Sequence, residues 1–354
     1  MNNDFLNYYK DVLLGINNCI LEYDKKVISD KTGYLKENLQ LFDNLNELGK
    51  RVRGTLVTLG YKIASKKDVS YSYPLALAYE LFETSVLIHD DVIDCGDVRR
   101  GIDTIHYSNY IKYKYKDEDD AKKVSESLAI CMGDYGFYLA NKVLVNAYNK
   151  DDNFSKILDY YNDVILKTIE GELIDVELSF VGKYFNDDSN LKDNIMDVYR
   201  LKTAYYTIIG PICLGLMLGG VDDEKIKKIS SPFEKIGIAF QIQDDILGIY
   251  NDMGKDNCSD IREYKQTILF SYIMENKLYK DELLKYYGNK NVTMDDVLEV
   301  RKIFKDSGAY DYAFDMMNDL YDQSIKEINS IDWMDNEDKN LLFGFVDYLR
   351  KRNK

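Results

Sequence analysis

An all-α fold is predicted by three features of the sequence. Proline occurs only three times in 354 residues, at Pro74, Pro211 and Pro232, and helix interiors exclude it because it lacks the amide donor and clashes with the preceding turn. Apolar residues recur at helical spacing almost throughout, from FLNYYKDVLLGI at 5–16 to LLFGFVDYLRKR at 341–352. No strand-like alternation competes with that pattern. So few prolines leave few natural linkers, and a single domain over 1–354 is expected, long enough to bury a substantial core.

Along the chain, polar stretches near 25–35, 95–104, 182–192 and 251–262, and a GNKN turn at 288–291, divide the helices. YKYKDEDDAKK at 113–123 reads as a solvated connection. Ala204 to Val221 carries no charge and approaches the length of a membrane span. Its glycines, Pro211 and the lack of a strong basic flank instead predict a buried core helix, so no transmembrane span is expected.

A formal charge of -15 argues against broad nucleic-acid binding, which needs a net basic surface. An anionic small substrate would need metal ions or a local basic cluster. The five cysteines are odd in number and lack metal-ligand spacing, which predicts free thiols in a reducing compartment. MNNDFLNYYKD shows no basic region leading into an apolar run. A cytoplasmic location is expected.

Aspartate pairs are common in this acidic chain. Asp119-Asp120, Asp151-Asp152, Asp187-Asp188, Asp222-Asp223 and Asp295-Asp296 lie in polar surroundings and read as surface. Two other pairs end long apolar helical runs: LALAYELFETSVLIHDDVID at 75–94, with Asp90, Asp91 and Asp94, and IGIAFQIQDDILGIY at 236–250, with Asp244 and Asp245. Carboxylates against an apolar wall are costly unless a cation pairs with them. Asp90 and Asp94 stand one helical turn apart on one face, suited to a hard cation. The second pair has Gly248 where a third carboxylate would stand. Mg²⁺ takes one or two carboxylates beside water or phosphate oxygens, so two acidic motifs suit a metal–diphosphate complex better than a closed protein cage.

Basic residues lie where an anion site would want them. LGKRVRG groups Lys50, Arg51 and Arg53 after Gly49, and Arg99-Arg100 follow the first acidic motif. Lys202-Thr203 precede the uncharged helix, and Lys255 and Lys265 follow the second acidic motif. Taken singly, each reads as a solvated charge; together they offer forks and point charges for diphosphate oxygens.

From about Gly49 to the C-terminus these residues resemble the trans-type isoprenyl diphosphate synthases, or polyprenyl synthetases. GKRVR resembles the family's first basic motif, HDDVID with RRG its first aspartate-rich motif, and EGELID its EGQ-containing helix. LKTA, FQIQDDILG and GKDNCSDIREYKQT resemble the next three, in the family's order. The resemblance implies a bundle of roughly a dozen helices around a deep central cavity, a homodimer, and head-to-tail condensation of isopentenyl diphosphate with an allylic prenyl diphosphate.

It also implies roles. Asp90, Asp91 and Asp94 would hold two Mg²⁺ on the allylic diphosphate, and Asp244, with Asp245 nearby, a third. Arg99, Lys202, Gln241, Lys255 and Lys265 would contact that diphosphate; Gly49, Lys50, Arg53 and Arg100 would hold that of isopentenyl diphosphate. Thr203 and Gln241 would turn polar groups toward the carbocation formed when diphosphate departs. The departing diphosphate would take the proton, so His89 and His106 read as structural.

Two positions depart from the family pattern. Glu83 stands where many relatives have His or Gln near isopentenyl diphosphate, and would repel phosphate unless it pairs with a base such as Lys50 or Arg53. Glu172 replaces the usual Gln, with Asp175 on the same helical face. Two other readings compete: a terpene cyclase of similar fold, which usually lacks GKRVR and the second aspartate pair, and a non-catalytic subunit of a heteromeric synthase, which commonly loses aspartates.

Product length is read from the helix that leads into HDDVID. Family members that stop at fifteen carbons carry large residues four or five positions before the first Asp, where this chain has Val86 and Ser85. Phe82, three residues farther, would set a floor lower by about 4.5 Å, close to one isoprene unit. Geranylgeranyl diphosphate is therefore the expected product, with farnesyl or longer chains as alternatives.

Overall fold

The computed structural model describes residues 3–185, 190–250 and 258–352. In chain order the helices are α1 (Asn3–Ile28), α2 (Gly33–Glu47), α3 (Val52–Ser65), α4 (Tyr73–Ile93), α5 (Ile105–Tyr113), α6 (Glu118–Tyr148) and α7 (Phe154–Phe185). Then follow α8 (Leu191–Val198), a π-helical segment (Tyr199–Ile209), α9 (Gly210–Leu218), α10 (Asp223–Tyr250), α11 (Ser259–Arg262) and α12 (Ile268–Asn276). The last four are α13 (Lys280–Leu283), α14 (Met294–Asp306), α15 (Ala309–Asn329) and α16 (Asn336–Arg350). The all-α expectation holds, with sixteen α-helices among the described residues where roughly a dozen were foreseen.

Contacts divide the chain into two compact units, one of residues 8–158 and 211–221, the other of 1–7, 159–210 and 222–354. The chain passes between them four times: inside α1, inside α7, at 210/211 in the first turn of α9, and at 221/222 in the short loop before α10.

In the first unit α4 packs along α6, flanked by α3 and α5. Glycines set the closest approaches: a Cβ on Gly133 of α6 would meet His89 at 2.3 Å, and one on Gly60 of α3 would meet the Ile212 carbonyl at 2.3 Å. After α4 comes the one strand pair among the described residues, β1 (Val98–Arg99) against β2 (Ile102–Asp103), with Arg99 opposite Ile102. Arg100 and Gly101 form its turn with φ of 54° and 82°, the left-handed pair that a two-residue hairpin requires. Two-residue strands are too short to show alternation, which is why the sequence pattern missed them.

In the second unit α10 packs against α15 and the π-helical segment. That segment is admitted by two glycines. A Cβ on Gly171 of α7 would lie 2.3 Å from the Lys202 amide nitrogen, and one on Gly237 of α10 would lie 2.4 Å from Ala204 Cα. Leu191–Leu218 is the one helix among the described residues long and apolar enough to cross a membrane, and 83% of its apolar window is buried. This matches the core helix expected at 204–221.

Several loops are shorter than the sequence suggested. Only 29–32 separate α1 from α2, and only 114–117 separate α5 from α6, because Asp117 caps α6 by accepting from the Asp120 amide at 2.9 Å. The turn at 288–291 is present, with Gly288 at φ 75°. Within 251–262, Ser259–Arg262 is helical. Asp295-Asp296 does structural work: Asp296 and Thr293 form a reciprocal capping box at the start of α14. Asp222 likewise accepts from the Lys225 amide at the start of α10. The Asp187-Asp188 pair lies outside the described residues.

Candidate active site

In the first unit the acidic run ends α4, with Asp94 as its C-cap. Arg99, carried back by the hairpin, places its fork on this run: Nη2 donates to Asp90 Oδ2 at 2.7 Å and Nε donates to Asp91 Oδ1. Asp91 is buried, and burial raises its pKa to about 6 although Arg99 opposes the shift. Its second oxygen, Oδ2, is buried without a hydrogen-bond partner. A carboxylate oxygen in that state is costly in the bare protein and fits a cation ligand.

The GKRVR segment divides its arginines between two tasks. Arg51 is 2% exposed, sits at φ 58°, and pairs with the buried Glu80 at 3.2 Å while donating to Asn17 Oδ1 and the Glu47 carbonyl. Glu80 also accepts from the Gly54 amide at 2.8 Å, so the buried pair pins the start of α3. Breaking such a pair typically costs about 3–5 kcal/mol, since it strands a buried charge. Sequence reasoning did not single out Glu80. Arg53 instead joins Glu83 at 2.8 Å, and Arg100 joins the same Oε1 at 2.7 Å. Gly49 leaves room for both neighbours, because a Cβ there would meet Arg51 Nη1 at 2.5 Å and Arg100 Nη1 at 3.3 Å. Lys50 is exposed, its carbonyl accepting from the Tyr9 hydroxyl.

Below the acidic run, Phe82 is fully buried, with its ring 5.8 Å from Phe137 of α6 and 5.5 Å from Tyr79. Val86 is half-buried. Ser85 points into the α4–α6 seam, bonding the Leu81 carbonyl at 2.8 Å, and a Cβ on Gly136 would meet its Oγ at 2.2 Å. His89 lies 3.1 Å from the Ile130 carbonyl and His106 3.2 Å from Thr104 Oγ1, in keeping with structural roles.

The second unit collects the remaining predicted residues. Lys202 Nζ lies 2.7 Å from both Glu172 and Asp175, one turn apart on α7. Thr203 donates to Gln241 Oε1 at 2.5 Å, and Gln241 Nε2 donates to Asp245 Oδ1 at 2.8 Å. The other oxygen of Asp245 accepts from the Tyr199 hydroxyl. Burial raises the Asp245 pKa to about 7, with these two donors opposing. With both oxygens engaged inside the protein, Asp245 acts as a holder of Gln241 rather than a carboxylate turned outward. Asp244, more exposed, pairs with Arg352 at 2.6 Å. Where the sequence lacks a third carboxylate, Asp260 of α11 supplies one in space: its Oδ2 lies 2.5 Å from the point a Gly248 Cβ would occupy. The Lys265 amide bonds the Asp260 carbonyl at 2.8 Å, which sets the start of the segment bearing Lys265. Lys255 lies outside the described residues. Tyr199 and Asp260 escaped sequence reasoning because their partners are 46 and 12 residues away in the chain.

A family model described as polyprenyl synthetase matches residues 26–304, a range that takes in every site residue expected from the sequence. The chain belongs to the polyprenyl synthetase family. As a member it is a prenyltransferase, joining isoprenyl diphosphates head to tail. The chain is 28% identical over 337 residues to a geranylgeranyl diphosphate synthase of Sulfolobus acidocaldarius, covering 92% of each protein. It is 28% identical over 313 residues to a geranylfarnesyl diphosphate synthase of Aeropyrum pernix, covering 86% of this chain and 91% of the relative. In fold it matches the geranylgeranyl pyrophosphate synthase of Corynebacterium glutamicum, solved with isoprenyl diphosphate and magnesium, at a TM-score of 0.85 and 23% identity over 99% of both chains.

Proposed function

We propose that this synthetase makes geranylgeranyl diphosphate from isopentenyl diphosphate and an allylic primer. The observation that carries the product length is on α4, where half-buried Val86 stands one turn before Asp90 and the buried Phe82 ring one turn below that. A geranylfarnesyl product is the second reading, favoured by the Aeropyrum pernix relative.

Asp90, Asp91 and Asp94 would hold Mg²⁺ on the allylic diphosphate, and Asp244 a further ion, three in all. The unpartnered Asp91 Oδ2 supports that assignment. Among the described residues no three ligating side chains form a closed cage, so bound magnesium would complete its shell from phosphate and water. When bound, it would neutralise the departing diphosphate. Arg99 and Lys202 would leave their carboxylates for that diphosphate, while Lys265 and Lys255 add charge. Arg53, Arg100, Lys50 and the Gly49 backbone would hold isopentenyl diphosphate. Thr203 and Gln241 would offer oxygens to the allylic cation, which the double bond of isopentenyl diphosphate attacks.

The whole chain would work as one catalytic domain, a reading supported by the family match that runs across both compact units. A homodimer is proposed from an exposed apolar stripe on α7, Leu166, Ile169, Leu173, Val176 and Phe180, each at least 44% exposed at helical spacing. Five cysteines outside any disulfide support a reducing, cytoplasmic setting.

The deciding experiment incubates the pure protein with isopentenyl diphosphate, Mg²⁺ and each allylic primer in turn. A twenty-carbon alcohol after dephosphorylation is expected. A fifteen- or twenty-five-carbon product would replace the assignment, and no product from any primer would favour a non-catalytic subunit.

A further inference from the structure

Tyr199 opens the π-helical segment three residues before Lys202 and is 3% exposed. Its hydroxyl uses both of its capacities. It accepts from the Ile268 amide at 2.9 Å, at the first turn of the helix that follows Lys265, and it donates to Asp245 Oδ2. The phenol proton is thus committed to Asp245 Oδ2.

The consequence is directional. Asp245 Oδ2 takes the Tyr199 proton, and Oδ1 accepts from the amide nitrogen of Gln241. The Gln241 carbonyl oxygen is thereby turned to Thr203, whose hydroxyl proton it takes at 2.5 Å. With that proton committed, the lone pairs of Thr203 Oγ1 and the second lone pair of Gln241 Oε1 remain. These are the features a developing cation would meet. If Asp245 swung away, the Gln241 amide could flip and present N–H groups instead, which repel a cation.

We infer that Tyr199 is a positioning residue for prenyl transfer: by fixing Asp245 against the start of α12, it sets the amide orientation of Gln241 and the proton direction of Thr203. The inference rests on the proposed role of Thr203 and Gln241 toward the carbocation. Buried Tyr199 spends its hydroxyl on Asp245 and the Ile268 amide, so its effect would reach the reaction through Gln241 and Thr203; a merely structural tyrosine would alter stability without coupling to Thr203.

The test is a double-mutant cycle on the full chain, reading kcat and both Michaelis constants. Tyr199→Phe should lower kcat about tenfold while KM for isopentenyl diphosphate and for the primer stays within about twofold. Thr203→Val should do the same, and the double variant should fall no more than about twofold further. Independent effects that multiply to about a hundredfold, or a Tyr199→Phe variant of normal kcat, would overturn the inference. Should Tyr199→Phe melt below the assay temperature, Gln241→Leu breaks the chain beyond an intact Tyr199–Asp245 pair; the same kcat loss is expected, and an unchanged kcat would overturn the idea. Failure of the underlying reading looks different: the unaltered protein would then make no prenyl product.

Discussion

Arg100 Nη2 donates to Glu83 Oε1 at 2.7 Å, and through that one oxygen the hairpin arginine is tied to Arg53, whose Nη1 lies 2.8 Å away on the other side. Two guanidinium groups this close repel each other, and at an effective dielectric near 20 two charges about 5 Å apart cost about 3 kcal/mol. The carboxylate between them offsets that cost and fixes both forks. Where the residue type alone suggested repulsion of phosphate, the geometry makes Glu83 the brace of the two arginines that would bind it.

The first prediction, for Glu83→Gln, follows from Glu83 pairing with a base, the condition under which the sequence left phosphate repulsion aside. A neutral amide no longer holds two cations together, so KM for isopentenyl diphosphate should rise about tenfold, equivalent to about 1.4 kcal/mol. KM for the allylic primer should hardly move. Steady-state kinetics with each substrate varied in turn would check this, and an unchanged or lower KM for isopentenyl diphosphate would restore the repulsion argument.

A second prediction concerns the metal ligands. Asp90→Ala leaves Arg99 paired with Asp91, and Asp244→Ala removes a partly exposed partner of Arg352. Neither change strands a deeply buried charge, so melting temperatures should stay within about 3 °C, the shift that roughly 1 kcal/mol gives. Turnover at fixed Mg²⁺ should fall at least a hundredfold in each, in line with removal of one electrostatic ligand. Chelation of Mg²⁺ should abolish turnover in the parent protein. Near-normal rates in both variants would contradict the proposed ion sites.

How much of this was legible beforehand depended on range. HDDVID, GKRVR and LKTA are local strings whose chemistry shows in the residue types, and the apolar periodicity of 75–94 and 236–250 was enough to place the acids at helix ends. What escaped was long-range pairing. Arg51 looked like a third basic ligand until its contact with Glu80 showed it to be a buried pin. Gly248 looked like a gap until Asp260 approached from another helix. The π-helical segment was likewise hidden, because the close packing that it needs is provided by Gly171 and Gly237, far off in sequence.

The third prediction comes from a buried acid pair outside the candidate site. Asp24 of α1 and Asp43 of α2 are 4% and 8% exposed and hydrogen-bonded to each other, and Asn46 links Asp24 to Thr84 of α4 at 3.2 and 2.9 Å. Burial, then the neighbouring Asp43, push the Asp24 pKa up to about 8, and burial raises Asp43 as well, with Glu47 adding to both. The folded state therefore holds protons that the unfolded state releases near pH 4. The pair's contribution to stability is full below about pH 4 and is lost as pH rises toward 8. Asp24→Asn can donate to Asp43 without a proton, so it should raise the melting temperature at pH 8.5 by a few degrees and leave it nearly unchanged at pH 4. Calorimetry at the two pH values would check the sign, and equal shifts at both would exclude a shared proton.

Product length supplies the last prediction, and the structure redirects its test. Ser85→Phe was the natural way to shorten the product from sequence alone, yet Ser85 faces Gly136 and is fully buried in the α4–α6 seam. A phenyl ring there would overpack the seam at a cost of about 1–3 kcal/mol and lower the melting temperature whatever it did to the product. Val86 is half-buried and one turn from both Asp90 and Phe82, so Val86→Phe raises the floor at a less buried position than Ser85 and should shift the main product toward farnesyl diphosphate. Phe82→Ala removes a ring packed on Phe137 and Tyr79. It should cost about 3–5 kcal/mol of stability. It should also lower the floor by about 5 Å, roughly one helical turn, and extend the product by one or more isoprene units. Chromatography of the dephosphorylated alcohols from both variants decides the matter: movement in opposite directions is expected, and an identical product from each would place the floor on another helix.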